Sequence, residues 1–144
     1  MSNVRFFQMT RQNMKRACHA IAISLSLWGG AAGAEEVCDI LNGSVIIAQD
    51  SNNTFLGKVA SSFDSQSIFN EFGTYGNEFS SKSIWNEFST FGNEFNSNSP
   101  FNEFSSAPPM LIKNRKIVGY LSANKSLRGS ISPDLLKALC KDSF

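Results

Sequence analysis

The stretch that decides the fold is Ser67-Ile68-Phe69-Asn70-Glu71-Phe72, which returns 16 residues later as Ser83-Ile84-Trp85-Asn86-Glu87-Phe88 and again as Ser99-Pro100-Phe101-Asn102-Glu103-Phe104. The second half of the unit recurs as Gly76-Asn77-Glu78-Phe79 and Gly92-Asn93-Glu94-Phe95. A fixed period predicts one small structural unit used several times, because each copy must bury its apolar face against its neighbours.

Each repeat predicts a β-hairpin. Residues 68–72 and 77–80 alternate apolar and polar side chains on either side of a glycine-containing turn, which is typical of two strands and a tight connection. The alternative is a short helix capped by Ser67 and ended by Gly73. That helix is the weaker interpretation, because it would have only five residues and these include closely spaced aromatics and Asn.

On the hairpin interpretation, equivalent positions in successive repeats have equivalent environments. Ile68 and Ile84 are predicted to be buried, and so are Phe72 and Phe88. The third repeat differs because Pro100 cannot donate a hydrogen bond to a β-ladder, so it is predicted to lie at an edge or in an irregular entry to the next unit.

Two outer segments, at about 45–59 and 110–123, also predict hairpins, because apolar and β-branched runs flank turns that contain Asn or basic residues. The two segments are alike, which suggests one motif used twice. After them, Ser132-Pro133-Asp134 predicts the capped start of a short helix that ends at Cys140. The predicted fold is mainly all-β, with a short C-terminal helix and hairpins at about 45–59, 68–80, 84–96 and 110–123.

The first 34 residues have the features of a secretory signal. Four basic residues precede an apolar stretch from Ala20 to Trp28, and Ala32-Gly33-Ala34 fits a small-residue cleavage site. The apolar stretch is too short to span a bilayer, so a retained anchor is the weaker alternative. We therefore expect a periplasmic or secreted chain, 35–144, without a transmembrane segment. It keeps all 12 acidic residues but only nine of the 13 basic ones, a net charge of −3.

Two cysteines remain after cleavage, Cys38 and Cys140. An even number of cysteines in a small exported domain predicts a disulfide, with two free thiols as the weaker alternative. In the chain-entropy treatment, closing a loop of roughly 100 residues stabilises a fold by about 4 to 5 kcal/mol.

The chain offers few groups for catalysis or metal binding. Its one histidine, His19, lies in the predicted signal, which excludes His-dependent triads and His-rich metal sites from the mature chain. Asp50-Ser51-Asn52 resembles the start of a calcium loop, but Ser61 stands where the bidentate Glu belongs. We expect no metal and no cofactor.

The candidates for a ligand site are the polar residues that recur in every repeat: Asn70, Asn86, Asn102, Glu71, Glu87 and Glu103. Equivalent units would place the amides at equivalent positions, and a ring of carboxylates could bind a cation or act in acid–base chemistry. In the alternative, the amides bond their own turns and linkers and the carboxylates keep an aromatic-rich surface soluble.

Charge is segregated along the chain. Residues 64–103 hold six acids and one lysine, whereas residues 113–141 hold seven basic residues and one acid. The two surfaces could meet within the fold or dock to another molecule. Seven scattered basic residues in a net-negative chain do not indicate a nucleic-acid partner.

The chain resembles a family of small bacterial proteins known as the four-fold β-flower. The likeness is carried by the run SIFNEFGTYGNEFSSKSIWNEFSTFGNEFNSNSPFNEF at 67–104, by Pro108-Pro109 and by VGYLSANK at 118–125, and it covers about 45–125. It implies four hairpin-like units in a pseudo-four-fold arrangement and brings no catalytic residues. The chain departs from the family pattern at Ser89, where Gly is usual, and at Asn77 and Asn93, where Ser is common.

These observations divide the chain into a signal (1–34), a lead-in (35–44), a repeat β domain (45–125) and a tail with a short helix (126–144). They favour an exported, non-enzymatic binding or structural module of the bacterial envelope, whose partner is an envelope protein or a small ligand. The alternatives are a carboxylate-dependent hydrolase and a self-assembling surface protein. A β-solenoid would suit the 16-residue period, but the chain has fewer than three full coils and the outer segments would be unexplained.

Overall fold

In the computed structural model, residues 32–144 are described, so residues 1–31 of the predicted signal at 1–34 lie outside the described residues. Two helices and five strands follow in the order α1 (Ala32–Leu41), β1 (Val45–Ile47), β2 (Phe55–Lys58), β3 (Met110–Lys113), β4 (Lys116–Leu121), β5 (Ser130–Ile131) and α2 (Pro133–Cys140). Helix α1 occupies most of the predicted lead-in, which the sequence had not indicated to be helical.

The strands form one mixed sheet in the order β2-β1-β3-β4-β5. The outer segments each contain an antiparallel pair, β1 with β2 and β3 with β4. They also pair with each other, since β1 lies antiparallel to β3 with Ile46 opposite Leu111. Strand β5 is parallel to β4. The two outer segments therefore form one continuous sheet instead of two separate units.

Local chemistry explains the turns within the sheet. Asn114 and Arg115 connect β3 to β4 with φ angles of 53° and 62°, the left-handed conformation at both central positions that suits the twist of a tight hairpin. In the β1–β2 connection, Asp50 accepts hydrogen bonds from the Thr54 amide at 2.9 Å and the Thr54 hydroxyl at 2.6 Å. These bonds lower the pKa of the Asp50 carboxyl, the hydroxyl bond most. The segment that resembled a calcium loop is a side-chain-stabilised turn.

The predicted C-terminal helix is present. The Ser132 hydroxyl accepts a hydrogen bond from the Leu135 amide and Pro133 occupies the first turn, as expected of a capped start. The predicted disulfide is present too: Cys38 in α1 and Cys140 in α2 are joined, with their Cα atoms 5.4 Å apart. It connects residues 102 positions apart and holds the two helices together.

The prediction of inner hairpins at 68–80 and 84–96 is wrong. Both segments are successive turns without a β-strand, and neither contains the alternative helix. The turn series, residues 61–105, joins the sheet at β2 through the hydrogen bonds Lys58 amide to Gln66 carbonyl, 2.8 Å, and Ile68 amide to Lys58 carbonyl, 3.0 Å. The alternation of apolar and polar side chains predicts a period of two, whereas the backbone hydrogen bonds recur mostly every three residues.

One core is shared by the helices, the sheet and the turn series. Ile68 and Ile84 are buried in it, 1% and 0% exposed, which confirms their predicted equivalence. Pro100 holds the same place in the third repeat and is also fully buried. It lies in a turn, so its missing amide hydrogen interrupts no strand. The core cluster is Cys38, Leu41, Ile46, Ala48, Leu56, Val59, Ile68, Phe69, Ile84, Leu111, Leu121, Leu136 and Cys140.

Candidate binding surface of the turn series

The backbone of the turn series repeats one hydrogen bond. Successive amide-to-carbonyl bonds of 2.9–3.4 Å close turns that share their end residues, from Ser61 to Ser105. The closing amide lies three residues after its acceptor, except at Gly73 to Asn77 and at Ser89 to Asn93, where the step is four. Four steps of three and one of four give the 16-residue repeat.

The residue at the start of most turns is Ser, Asn or Asp, and the reason is local. Its side-chain oxygen accepts a hydrogen bond from the amide two residues later, an alternative to a β-ladder that these short polar side chains favour. Ser and Asn are interchangeable in this role, which is why Asn77 and Asn93 fit where the resembling family has Ser. The acceptors are Ser61, Asp64, Ser67, Asn70, Asn77, Ser80, Ser83, Asn86, Asn93, Asn96, Ser99, Asn102 and Ser105.

The candidate residues Asn70, Asn86 and Asn102 each accept such a backbone hydrogen bond at Oδ1. Each also donates from Nδ2 to the carbonyl six residues earlier, at 3.1, 3.2 and 3.1 Å. Both ends of every amide are therefore bonded within the residue's own segment, and no hydrogen bond joins one of the three to another. Asn124 also donates from Nδ2 to a backbone carbonyl, that of Ser105 at 3.0 Å, but this acceptor lies 19 residues earlier.

Two glycines of the repeat are dictated by close contact. A Cβ atom at Gly76 would lie 2.1 Å from the Asn70 carbonyl oxygen, and one at Gly92 would lie 1.9 Å from that of Asn86. Ser89, where the resembling family has Gly, fits without strain because its hydroxyl donates to the Ser83 carbonyl and accepts from the Gly92 amide, both at 3.0 Å.

The predicted burial of Phe72 and Phe88 is wrong: 98% and 88% of their surfaces are exposed. They belong to two sets of phenylalanines, each spaced by 16 residues, that project into solvent with 84–98% of their surface exposed. The sets are Phe63, Phe79 and Phe95, and Phe72, Phe88 and Phe104. At 150–250 Å² per ring, they present roughly 1,000 Å² of aromatic surface in total. Rings of the two sets line the same clefts in pairs, Phe72 with Phe79 and Phe88 with Phe95, and contiguous exposed apolar patches of a few hundred Å² or more mark interaction sites.

The candidate acids Glu71, Glu87 and Glu103 are exposed, and each precedes one of these phenylalanines. Glu78 and Glu94 do the same in the other set. Glu71 forms an ion pair with Lys141 at 2.5 Å. The hydrogen bond from Lys141 and then its charge lower the pKa of Glu71, with a smaller contribution from Lys137, and the bond to Glu71 raises the pKa of Lys141. Within residues 32–144, no three His, Cys, Asp or Glu side chains are placed to hold a metal ion.

The exposed phenylalanines form the walls of two clefts beside α2. The first cleft, of about 340 Å³, is lined by Glu71, Phe72, Gly76, Asn77, Glu78, Phe79, Trp85 and Lys137. The second cleft, of about 640 Å³, is lined by Ile84, Trp85, Glu87, Phe88, Gly92, Asn93, Glu94, Phe95, Phe101 and Asp134. Every repeat residue of the first cleft has its counterpart 16 positions later in the second.

The exposed phenylalanines are what sequence reasoning missed. Apolar alternation suggested strands, and strands would have buried one face. The overlooked signal is the recurrence of Ser, Asn or Asp at every third position from Ser61 to Asn70 and from Asn77 to Asn86. That spacing indicates locally satisfied turns.

No helix in the described part of the chain is long and apolar enough to cross a membrane. Comparison of the chain with protein-family models, with curated proteins and with solved structures finds no match.

Proposed function

We propose that this chain is an exported, non-enzymatic binding module of the bacterial envelope, which engages its partner through the exposed phenylalanines and the glutamates beside them. The observation that carries the proposal is that six phenylalanines are 84–98% exposed at repeated positions. Burying a phenylalanine that is left in water would contribute about 1.5–3 kcal/mol, so selection for folding alone gives no reason to keep six of them outside.

Export is part of this proposal. A disulfide between α1 and α2 supports an oxidising compartment, the periplasm or the exterior, because cytosolic thiols are kept reduced. Cleavage after Ala34 would fall within α1 and leave Cys38 in the mature chain.

Membership of the four-fold β-flower family, with four pseudo-symmetric units, is also proposed. It is supported by four copies of one hydrogen-bond pattern, in which Asn70, Asn86, Asn102 and Asn124 each donate from Nδ2 to a backbone carbonyl and accept at Oδ1 from the amide two residues later. These bonds assign the asparagines a structural role and leave the glutamates and phenylalanines as the groups that meet a partner.

In the self-assembly alternative, the phenylalanines and glutamates of one copy would meet Ile117, which is 53% exposed, and the basic β3–β4 turn at 113–116 of a second copy. Among residues 32–144, no contact favours the hydrolase alternative: Glu71 is paired with an ammonium, and Glu103 lies in a different cleft from Glu87.

The proposal is tested by photo-crosslinking in the native envelope, with a photoreactive phenylalanine analogue at position 79 or 95. The matched control carries the analogue at Asn52, which is also exposed but lies in the β1–β2 turn. We expect adducts from 79 and 95 and none from 52. An adduct of twice the chain mass would identify self-assembly, and a heavier or lighter one a different partner.

A partner found in this way is then purified, and its affinity is measured against the wild-type chain and a variant with Phe72, Phe79, Phe88 and Phe95 replaced by Ser. Loss of binding with an unchanged unfolding transition supports the proposal. Equal adducts from all three analogue positions, or undiminished affinity of the folded variant, contradicts it.

A further inference from the structure

The two clefts repeat the same residues, but the charged residue that α2 contributes is basic in one and acidic in the other. Seven residues of the first cleft map onto the second by a shift of 16, so that Glu71 and Glu78 become Glu87 and Glu94, and Trp85 becomes Phe101. The only lining residue of the first cleft without such a counterpart comes from α2. It is Lys137 in the first cleft, whereas α2 contributes Asp134 to the second.

The basic residue in the lining of the first cleft is the chain's own Lys137. The Lys137 ammonium lies 4.4 Å from the centroid of the Trp85 ring, a cation–π contact. The Lys141 ammonium bonds the Glu71 carboxylate. Glu71 and Glu78 line the cleft together with Lys137, so the first cleft shows which chemistry this arrangement of rings and carboxylates accepts: a primary ammonium on an alkyl chain.

The second cleft has the same rings and carboxylates, and its described lining includes no lysine or arginine. Asp134 and Lys137 lie three positions apart on one face of α2, so the same helix that gives the first cleft a cation gives the second a third carboxylate. The second cleft also has nearly twice the volume of the first, about 640 against 340 Å³.

From this internal comparison we infer that the second cleft binds an alkylammonium group, held by Glu87, Glu94 and Asp134 and covered by the rings of Phe88, Phe95 and Phe101. Carboxylates supply the charge and aromatic faces supply cation–π contacts with an apolar wall for the alkyl chain. The inference deepens the proposed function and rests on it, since it names the chemistry recognised by one part of the phenylalanine surface.

The probe is n-butylammonium, which has the length of a lysine side chain, titrated into the ¹⁵N-labelled full chain with its disulfide intact. The amide NMR resonances of Gly92 and Asn93, in the second cleft, should shift on titration. Those of Gly76 and Asn77, in the first cleft, are the internal control and should not shift. Added salt should weaken the response, because partly exposed ion pairs are screened. The neutral isostere n-butanol should bind at least fivefold more weakly. Equal shifts in both clefts, or equal affinity for butanol, overturns the inference.

Two variants sharpen the test. Replacing Glu87 and Glu94 with Gln and Asp134 with Asn should weaken butylammonium binding at least tenfold. Replacing Lys137 and Lys141 with Met should open the first cleft, so that the Gly76 and Asn77 amides now respond to butylammonium as well. If the Gly76 and Asn77 amides of a folded Lys137→Met/Lys141→Met chain still do not respond to butylammonium, the inference from the first cleft to the second is contradicted. This outcome holds whether or not the triple variant folds.

The ammonium could belong to a free amine or to a lysine side chain. N-acetyl-lysine methylamide and 1,5-diaminopentane separate these sources, because the former carries the peptide backbone that a docked lysine must have. Tighter binding of the lysine derivative identifies a protein lysine, and tighter binding of the diamine identifies a free amine. Crosslinking to a partner with no amine response would overturn this inference and leave the proposed function standing.

Discussion

The sheet and the turn series treat apolar residues in opposite ways. In the sheet, Ile46, Leu56, Leu111 and Leu121 are 0–1% exposed, and the strand neighbours on either side of Ile46 and of Leu111 are less buried, as alternation predicts. In the turn series, Ile84 is fully buried while Phe88, four residues later, is 88% exposed. Hydrophobicity therefore predicts which side chains are buried in the sheet but not in the turn series.

The difference lies in how each region satisfies its backbone. A strand depends on a neighbouring strand for its hydrogen bonds, so it must lie within a sheet and cover one face. A turn of the series bonds its own next turn and its own Ser or Asn side chain. Which side chains point outward then depends on their place in the 16-residue repeat: Phe69 and Phe72 each lie two residues after the start of a turn, yet they are 1% and 98% exposed.

The largest expected effect tests the close contacts that fix the turn series. Gly92→Ala places a Cβ atom 1.9 Å from the Asn86 carbonyl oxygen, so we expect a loss of more than about 4 kcal/mol in unfolding free energy, or no folded protein. Gly73→Ser is the control, because Ser already occupies the equivalent position 89, and we expect it to change stability by less than about 1 kcal/mol. Circular dichroism with urea titration measures both. A stable Gly92→Ala protein would mean that the turns are not held at this spacing.

The next effect separates the two apolar positions of one repeat. Ile84→Ala should cost about 2–5 kcal/mol because it empties a fully buried site. Phe88→Ala removes the larger side chain but should change stability by less than about 0.5 kcal/mol, because the ring is 88% exposed. Urea unfolding of the two variants decides it. Equal losses would show that Phe88 is buried in solution and would remove the basis of the proposed surface.

A smaller effect tests whether the asparagines are structural. Asn86→Ala removes the bond to the Ser80 carbonyl and the bond from the Phe88 amide, 3.2 and 3.0 Å. We expect a loss of about 1–3 kcal/mol, since both backbone groups are left without that partner. Asn52→Ala, at an exposed turn of the sheet region, should cost less than about 0.5 kcal/mol. Full stability of the Asn86 variant in thermal and urea melts would return this side chain to the list of ligand-binding groups.

The smallest effect concerns the ion pair that connects the turn series to α2. The pKa of Glu71 is lowered from 4.5, so its contribution to stability is present above about that pH and is lost as pH falls through the lowered value. The pKa of Lys141 is raised from 10.5, so its contribution is present below about that pH and lost as pH rises further. Glu71→Gln removes the main cause of both shifts, so it should flatten the acid side and the alkaline side of a plot of melting temperature against pH, whereas Glu87→Gln should leave the plot unchanged. The same flattening in both variants would contradict the pairing.

Much of the sheet region and its flanks could be predicted from residue patterns. The outer strands, the capped start of α2 and the pairing of Cys38 with Cys140 follow from β-branched runs, a Ser-Pro-Asp sequence and an even number of cysteines. The inner repeats were misassigned because Ile68, Asn70 and Phe72 also fit an alternating strand. Choosing between periods of two and three requires knowing whether a partner strand exists, and a local pattern does not contain that information.

The sequence by itself determined that one 16-residue unit recurs, which of its positions are equivalent and which residues can cap a turn, because these depend only on residue type and spacing. Only the tertiary structure decided that Ile84 faces the core while Phe88 faces solvent, and that Lys137 lines one cleft while Asp134 lines its copy. Those outcomes depend on where α2 and the sheet pack against the turn series. Equivalent residues in a repeat become different when the elements packed against them differ.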